Sequence, residues 1–155
     1  MMPPKPPYVT CAMLCDRVLE EQDGVLTAIR LIDRVVAVAP EGTPVGPIAL
    51  PKMTLLVSLK SGDYVGKGVV TLRLNPPAGV EGPKEIGPGR FDVEVELSGA
   101  EHGANVMLEL NLVLEHQGVY WFDVYFNDEM ITRTPLAFVR TTSPSQSKSA
   151  IGSAG

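Results

Sequence analysis

Hydrophobic and polar residues alternate through most of the second half of the chain, from Phe91 to Val139. A two-residue period is typical of a β-strand that buries one face and exposes the other to solvent. Three runs carry the apolar residues: Phe91, Val93, Val95 and Leu97; Val106, Leu108, Leu110, Leu112 and Leu114; and Tyr120, Phe122, Val124 and Phe126. This half of the chain is therefore predicted to be β-sheet.

The first half is predicted to open with a β-hairpin. Residues 8–19 form its first strand, and Gln22-Asp23-Gly24 provides the turn. Residues 25–38 also satisfy a helical spacing, but they are rich in β-branched residues and have strands as neighbours. We expect one long strand there, with a bulge near Leu31 and Ile32.

A second hairpin and a final strand complete the prediction. Residues 53–60 and 70–74 alternate on either side of a glycine-rich turn, and residues 130–140 form the last strand. Because Pro135 cannot donate to a β-ladder, that strand is predicted to lie at an edge. The fold class expected is all-β, a single immunoglobulin-like or C2-like antiparallel β-sandwich of about eight strands.

Length and composition indicate one domain. A chain of 155 residues buries roughly 70% of its unfolded surface, which is enough for a core without metal or disulfide support. We expect a proline-rich N-terminal extension at 1–7, a β-sandwich domain at 8–140 and a disordered Ser-rich tail at 141–155. The proline- and glycine-rich segments 40–51 and 75–89 are predicted to be loops.

The net charge indicates which classes of partner to expect, and the cysteines indicate the cellular compartment. The net charge is −5, and the 13 basic residues are scattered, which argues against nucleic-acid and acidic-membrane partners. No apolar run resembles a secretory signal or a membrane span, so a cytoplasmic location is expected. On one strand Cys11 and Cys15 would lie about 13 Å apart. That distance is too long for a disulfide, so reduced structural thiols are predicted.

The sequence contains no motif that points to catalysis, to a cofactor or to a metal. The segment from Gly62 to Gly68 lacks the spacing, the Ser or Thr and the following helix of a phosphate-binding loop. His102 and His116 lie in predicted turns without the short spacings of a zinc site. Ser58, Ser61 and Ser98 match no nucleophile elbow. We therefore expect a protein that is not an enzyme, although a site assembled only in space would leave no such signal.

The outward face of the strand at 119–126 is the candidate contact surface. If the alternate apolar residues face the core, then Val119, Trp121, Asp123 and Tyr125 face outward. Exposed aromatic rings can anchor a protein partner or stack on a sugar. In the alternative interpretation, the strand is central and another segment covers Trp121. The sequence leaves both interpretations open.

Several short segments resemble an uncharacterised bacterial β-sandwich family, a domain of unknown function. They are Leu14-Cys15-Asp16, Asp23-Gly24, Leu31-Ile32-Asp33-Arg34-Val35-Val36, Gly118-x-Tyr120-x-Phe122-x-Val124 and Pro135-Leu136. The resemblance covers roughly residues 8–140. It implies a cytosolic β-sandwich and carries over no catalytic or binding residue, and the loop at 75–89 departs from the compact pattern.

The function expected from the sequence is that of a non-catalytic protein-interaction or assembly module, which binds another protein or associates with itself. Two alternatives remain. One is a module that binds a carbohydrate or another small ligand through its exposed aromatic residues, and the other is a small hydrolase with an unrecognised site.

Overall fold

The chain forms eleven strands in the part that the computed structural model describes, residues 6–44, 46–80 and 89–143. Their bounds are β1 Tyr8–Glu20, β2 Leu26–Ile32, β3 Arg34–Pro40, β4 Ile48–Ala49, β5 Met53–Lys60, β6 Val65–Asn75, β7 Arg90–Ser98, β8 Gly103–Leu110, β9 Val113–Leu114, β10 Gly118–Phe126 and β11 Glu129–Ser143. The all-β prediction is confirmed. The number of strands exceeds the predicted eight because two predicted strands each divide and a two-residue strand, β4, interrupts a predicted loop.

The strands belong to three sheets. The four-stranded sheet has the order β2-β1-β5-β8, the five-stranded sheet has the order β3-β11-β10-β6-β7, and β4 pairs with β9. The pairing of β3 with β11 is parallel, and the other ladders are antiparallel. Apolar side chains of both large sheets form one buried cluster, which includes Leu14, Leu55, Val57, Val70, Leu72, Tyr120, Phe122, Val124 and Phe138.

The predicted alternation is confirmed in the second half of the chain. In β7 the charged residues are exposed and the apolar residues between them are partly or fully buried. In β10 all four predicted core residues are buried. The hairpin from β10 to β11 turns at Asn127 and Asp128, whose φ angles are +45° and +67°. Positive φ at both central residues is the geometry of a type I′ two-residue hairpin turn.

The prediction of one long strand over residues 25–38 was wrong. The chain leaves the four-stranded sheet after β2, and β3 joins the five-stranded sheet beside β11. The expected bulge is also absent: Arg30 has a φ of +56°, but the pairing with β1 keeps one register from Ile29 to Leu31. The strand thus continues past Arg30, and the chain changes sheet at Asp33, between the end of β2 and the start of β3.

The second predicted hairpin was also wrong. β5 lies between β1 and β8, so both of its edges are already paired. The chain therefore crosses to the other large sheet after Lys60, where β6 pairs with β7 and β10.

The last strand is not an edge strand, because β11 lies between β3 and β10. The ladder with β3 begins only at Ala137, so Pro135 pairs with β10 alone and its missing N–H interrupts no ladder with β3. β11 also continues to Ser143, three residues into the predicted tail, since these residues pair with β3. The rest of that tail, residues 144–155, lies outside the described residues, as do 1–5 of the predicted N-terminal extension and 81–88 of the predicted loop at 75–89.

Candidate functional site

The predicted contact residues lie on the outward face of β10, in the middle of the five-stranded sheet. β11 pairs with β10 on one side and β6 on the other, and this register places Arg133 and Arg73 directly opposite Asp123. Trp121 and Tyr125 flank Asp123 along β10. We call these five residues, Arg73, Trp121, Asp123, Tyr125 and Arg133, the arginine–aromatic face.

A buried carboxylate fixes the centre of this face. Asp123 is only 5% exposed, and its Oδ1 accepts a hydrogen bond of 2.7 Å from Nε of Arg133. Its Oδ2 accepts a second bond of 2.5 Å from the side-chain amide of Asn75. Both carboxylate oxygens thus have donors, which a buried charge requires.

The same arginine covers the tryptophan. The guanidinium carbon of Arg133 lies 4.4 Å from the centre of the Trp121 ring, a cation–π distance. Asp123 therefore holds the guanidinium while the guanidinium packs on the ring. On the other side of β10, the Arg73 guanidinium lies 5.2 Å from the centre of the Tyr125 ring.

The row of cations continues onto β7, where Arg90 lies opposite Arg73. Asp92 accepts a 2.6 Å hydrogen bond from the buried Thr71 hydroxyl and forms an ion pair with Arg90. The Thr71 hydrogen bond, together with the nearby arginines, lowers the pKa of Asp92 below its ordinary value. The carboxylate is thus held in its charged form.

The outward placement of the four predicted residues agrees with the strand register, but their exposure differs. Val119 is exposed at 42%, Asp123 is buried, and Trp121 and Tyr125 are half-buried. Trp121 is thus neither freely exposed nor in the core, because Arg133 covers its ring. The sequence analysis missed both arginines of the face. Their outward positions follow from alternation, but their neighbours depend on the order of strands.

One pair of potentially catalytic groups lies near a turn. Ser98 Oγ, at the end of β7, and His102 Nδ1, in the turn that leads to β8, are 2.8 Å apart. Both residues are exposed and only four positions apart, and within the described residues no carboxylate contact orients the imidazole. A nucleophile–base pair normally has such a third group. A local turn contact explains this geometry.

The two cysteines lie on one face of β1, as predicted, and both are free. Cys15 is fully buried, with its thiol 3.6 Å from the Thr54 carbonyl oxygen. Burial raises the pKa of both thiols, and Asp16 and Cys11 raise that of Cys15 further. A raised pKa reduces the fraction of thiolate, so neither cysteine is activated as a nucleophile.

A cleft of about 500 Å³ lies between the start of β1 and the β10–β11 turn. Its walls include Tyr8, Tyr64 and Phe126. The Tyr8 hydroxyl already donates to Glu101, and that of Tyr64 donates to the Lys67 carbonyl. In residues 6–44, 46–80 and 89–143, no group of three or more His, Cys, Asp or Glu residues could hold a metal ion. The same residues include no helix long and apolar enough to cross a membrane.

Comparison with known proteins gives a family and distant structural likenesses. The model of a family described as "Family of unknown function (DUF6941)" matches residues 10–139. No curated protein matches the sequence.

Three solved structures illustrate the structural likenesses. A β-glucosidase from Listeria innocua has 13% identity and a TM-score of 0.47 over 73% of this chain and 15% of its own. An immunoglobulin-like protein from Pseudomonas aeruginosa has 11% identity and a TM-score of 0.41 over 85% and 95% of the two chains. The alkylpurine DNA glycosylase AlkC from Pseudomonas fluorescens has 12% identity and a TM-score of 0.42 over 83% of this chain and 30% of its own. This chain thus spans about 15% of the length of the β-glucosidase, and similarity at this level carries no functional information.

Proposed function

We propose that this chain, which belongs to the family of unknown function (DUF6941), is a non-catalytic protein-interaction or assembly module that binds through its arginine–aromatic face. One observation carries the proposal. The Arg133 guanidinium is held by the buried Asp123 carboxylate while it packs over the Trp121 ring.

The composition of this face supports a protein partner. Trp, Tyr and Arg are the residue types that dominate the energetics of protein interfaces. Here the two aromatic rings and two arginines contact one another before any partner binds. Side chains that are already ordered lose less conformational entropy on binding, so more of the contact energy contributes to affinity.

A carbohydrate ligand is the weaker alternative for the same face. Stacking on a sugar needs an accessible ring face, whereas Arg133 lies over the Trp121 ring and Arg73 over the Tyr125 ring. A hydrolase is weaker still, because the Ser98–His102 pair is exposed and belongs to a turn. The net charge of −5 supports a protein partner over nucleic acid, and the free thiols support the expected cytoplasmic location.

For the fold, we propose an immunoglobulin-like sandwich. Two features support it: both large sheets contribute to one buried cluster, and the buried Tyr120 donates a 2.6 Å hydrogen bond to the carbonyl of His116, four residues upstream. A tyrosine that bonds back to the preceding corner is a feature of immunoglobulin-like sandwiches.

The test compares Trp121→Ala with Met107→Ala, which truncates a side chain that is 44% exposed on the four-stranded sheet. Self-association is measured by analytical ultracentrifugation, and partner binding by quantitative capture from an extract of the source cells. Loss of a hot-spot tryptophan costs at least about 2 kcal/mol, or roughly thirtyfold in affinity. We expect that loss for Trp121→Ala alone.

Circular dichroism checks that each variant is folded. Should Trp121→Ala unfold, Arg73→Glu replaces it, because Arg73 is an exposed residue of the face that packs on the Tyr125 ring. Unchanged association in a folded variant of the face, or an equal loss in Met107→Ala, would refute the proposal.

A further inference from the structure

β3 is an edge strand with an exposed apolar face. Among the described strands it pairs only with β11, and its outward side chains include Val36 and Val38, which are 48% and 62% exposed. The opposite edge of the same sheet, β7, differs, because its outward residues are Arg90, Asp92, Glu94 and Glu96.

This difference matters because an open edge presents unpaired N–H and C=O groups to any extended chain. Proteins usually protect such edges with charged side chains, proline or bulges. β7 has that protection along its length. β3 has Arg34 at its start and Pro40 at its end, but its centre has only apolar side chains. The centre of β3 is thus suited to pairing with another strand.

A basic pocket adjoins this edge, where the chain crosses from β2 to β3. Its volume is about 270 Å³, and its apolar walls include Ile32, Val35, Pro51 and Met53. Pockets for drug-sized ligands begin at roughly 300 Å³. The size therefore suits a side chain of a partner better than a cofactor.

The pocket has an excess of positive charge. Arg30, Arg34 and Lys52 line it together with a single carboxylate, that of Asp16. The Arg30–Asp16 pair is long, at 3.9 Å, whereas Lys52 pairs with Glu109 outside the pocket lining at 3.0 Å. Arg34 has no ion pair with any residue in the described parts of the chain. An incoming carboxylate would thus meet at least one uncompensated guanidinium.

We propose that β3 and this pocket together bind an extended segment of another protein, which adds a strand to the β3 edge and places an acidic side chain in the pocket. Arg34 and Val36 line the pocket and also belong to β3. One peptide can therefore pair with the β3 edge and reach the pocket at the same time. Backbone hydrogen bonds give affinity in this mode, and side-chain pockets give specificity. The segment has β-branched residues that cover Val36 and Val38, and Asp or Glu at one end. This site lies outside the arginine–aromatic face and does not depend on it.

The first test uses a library of random twelve-residue peptides displayed on phage, selected against the full-length protein. We expect enriched sequences with alternating Val, Ile or Thr and with Asp or Glu near one end. Enrichment without acidic residues would refute the proposal, and so would the absence of any enriched sequence.

The second test measures the affinity of the most enriched peptide, made synthetically. Arg34→Glu should weaken binding about tenfold or more, because a charge-assisted contact becomes a repulsion. Arg17→Glu is the matched control. It makes the same charge change at an exposed β1 residue outside the pocket and should leave the affinity unchanged. Trp121→Ala should also bind normally, which separates this site from the arginine–aromatic face.

Hydrogen exchange locates the peptide. We expect slower exchange at the backbone amides of β3 when the peptide is bound, and no change in β7. Protection elsewhere would refute the edge assignment. Protection of β3 in the free protein that disappears on dilution would show that a second copy occupies the edge, which would also overturn the proposal.

Discussion

The ion pair at the centre of the arginine–aromatic face should contribute more to stability than an ordinary surface pair. The perturbation is a double-mutant cycle of Asp123→Ala, Arg133→Ala and the double variant. The Asp123 side chain is 7% exposed and that of Arg133 is 46% exposed, with 2.7 Å between Nε and Oδ1. The pair is thus buried at the carboxylate and partly solvated at the guanidinium.

These exposures place the expected energy between two known limits. Fully exposed pairs contribute about 0.2–1 kcal/mol, whereas breaking a buried pair costs about 3–5 kcal/mol. We expect a coupling free energy of about 1–2 kcal/mol between Asp123 and Arg133. Asp123→Ala alone should cost about 2–4 kcal/mol, because it also removes the acceptor of the Asn75 amide.

The assay is urea unfolding followed by fluorescence. Trp121 is the single tryptophan, so its emission reports directly on this face. Because Arg133→Ala also changes the environment of the ring, circular dichroism provides a second probe of unfolding. For a domain of this size, 2 kcal/mol corresponds to a melting temperature lower by roughly 4–8 °C.

A coupling free energy below about 0.5 kcal/mol would refute this reasoning, since the pair would then behave like an exposed one. Unchanged tryptophan emission in folded Arg133→Ala would contradict the proposed packing of the guanidinium on the ring.

Three further outcomes are expected. Thr71→Val should raise the pKa of Asp92 toward its ordinary value, because the hydroxyl is the main cause of its depression. A depressed carboxyl pKa stabilises the fold above the unfolded-state pKa and loses that effect as the pH falls through the folded-state value. The wild-type protein should therefore lose stability on acidification near and below pH 4, and Thr71→Val should lose less. Carboxyl NMR titration measures the pKa of Asp92 in each protein. A disulfide-exchange reagent at pH 8 should react faster with Cys11 than with the fully buried Cys15, and equal rates would contradict this. Deleting residues 144–155 should leave the melting temperature unchanged, whereas a cut three residues earlier should lower it, because it removes pairs between β11 and β3.

Local alternation predicted which side chains of the second half point toward the core, but not which strands are neighbours. The inward and outward sets of β10 follow from period two, since successive side chains point to opposite faces. The arginines that complete the face come from β6 and β11. Their positions opposite Asp123 depend on pairings over long distances in the sequence. Strand order is a property of the whole core, so a single sequence left these neighbours undetermined.

Pro135 shows the same distinction within one residue. A proline lacks the N–H donor and is expected where a ladder is missing. That expectation holds locally, because at Pro135 the strand has β10 but not β3 as a partner. It fails for the strand as a whole, since β3 joins from Ala137 onward. The rule that proline lacks a ladder partner was correct at Pro135, and the error was to apply it to the whole of β11.

The crossing from β2 to β3 is reflected in which side chains reach the core. Ile32 packs against the core from an even position, whereas Val35 and Ala37 do so from odd positions. Even- and odd-numbered residues of one uninterrupted strand point to opposite faces of its sheet. Such a strand would therefore have turned either Ile32 or the pair Val35 and Ala37 away from the core. Leaving one sheet and joining the other allows both sets to reach the same core. This change of sheet also brings Arg30 of β2 and Arg34 of β3 to one pocket and leaves β3 at an edge. The basic pocket and the open edge are therefore consequences of one feature of the chain.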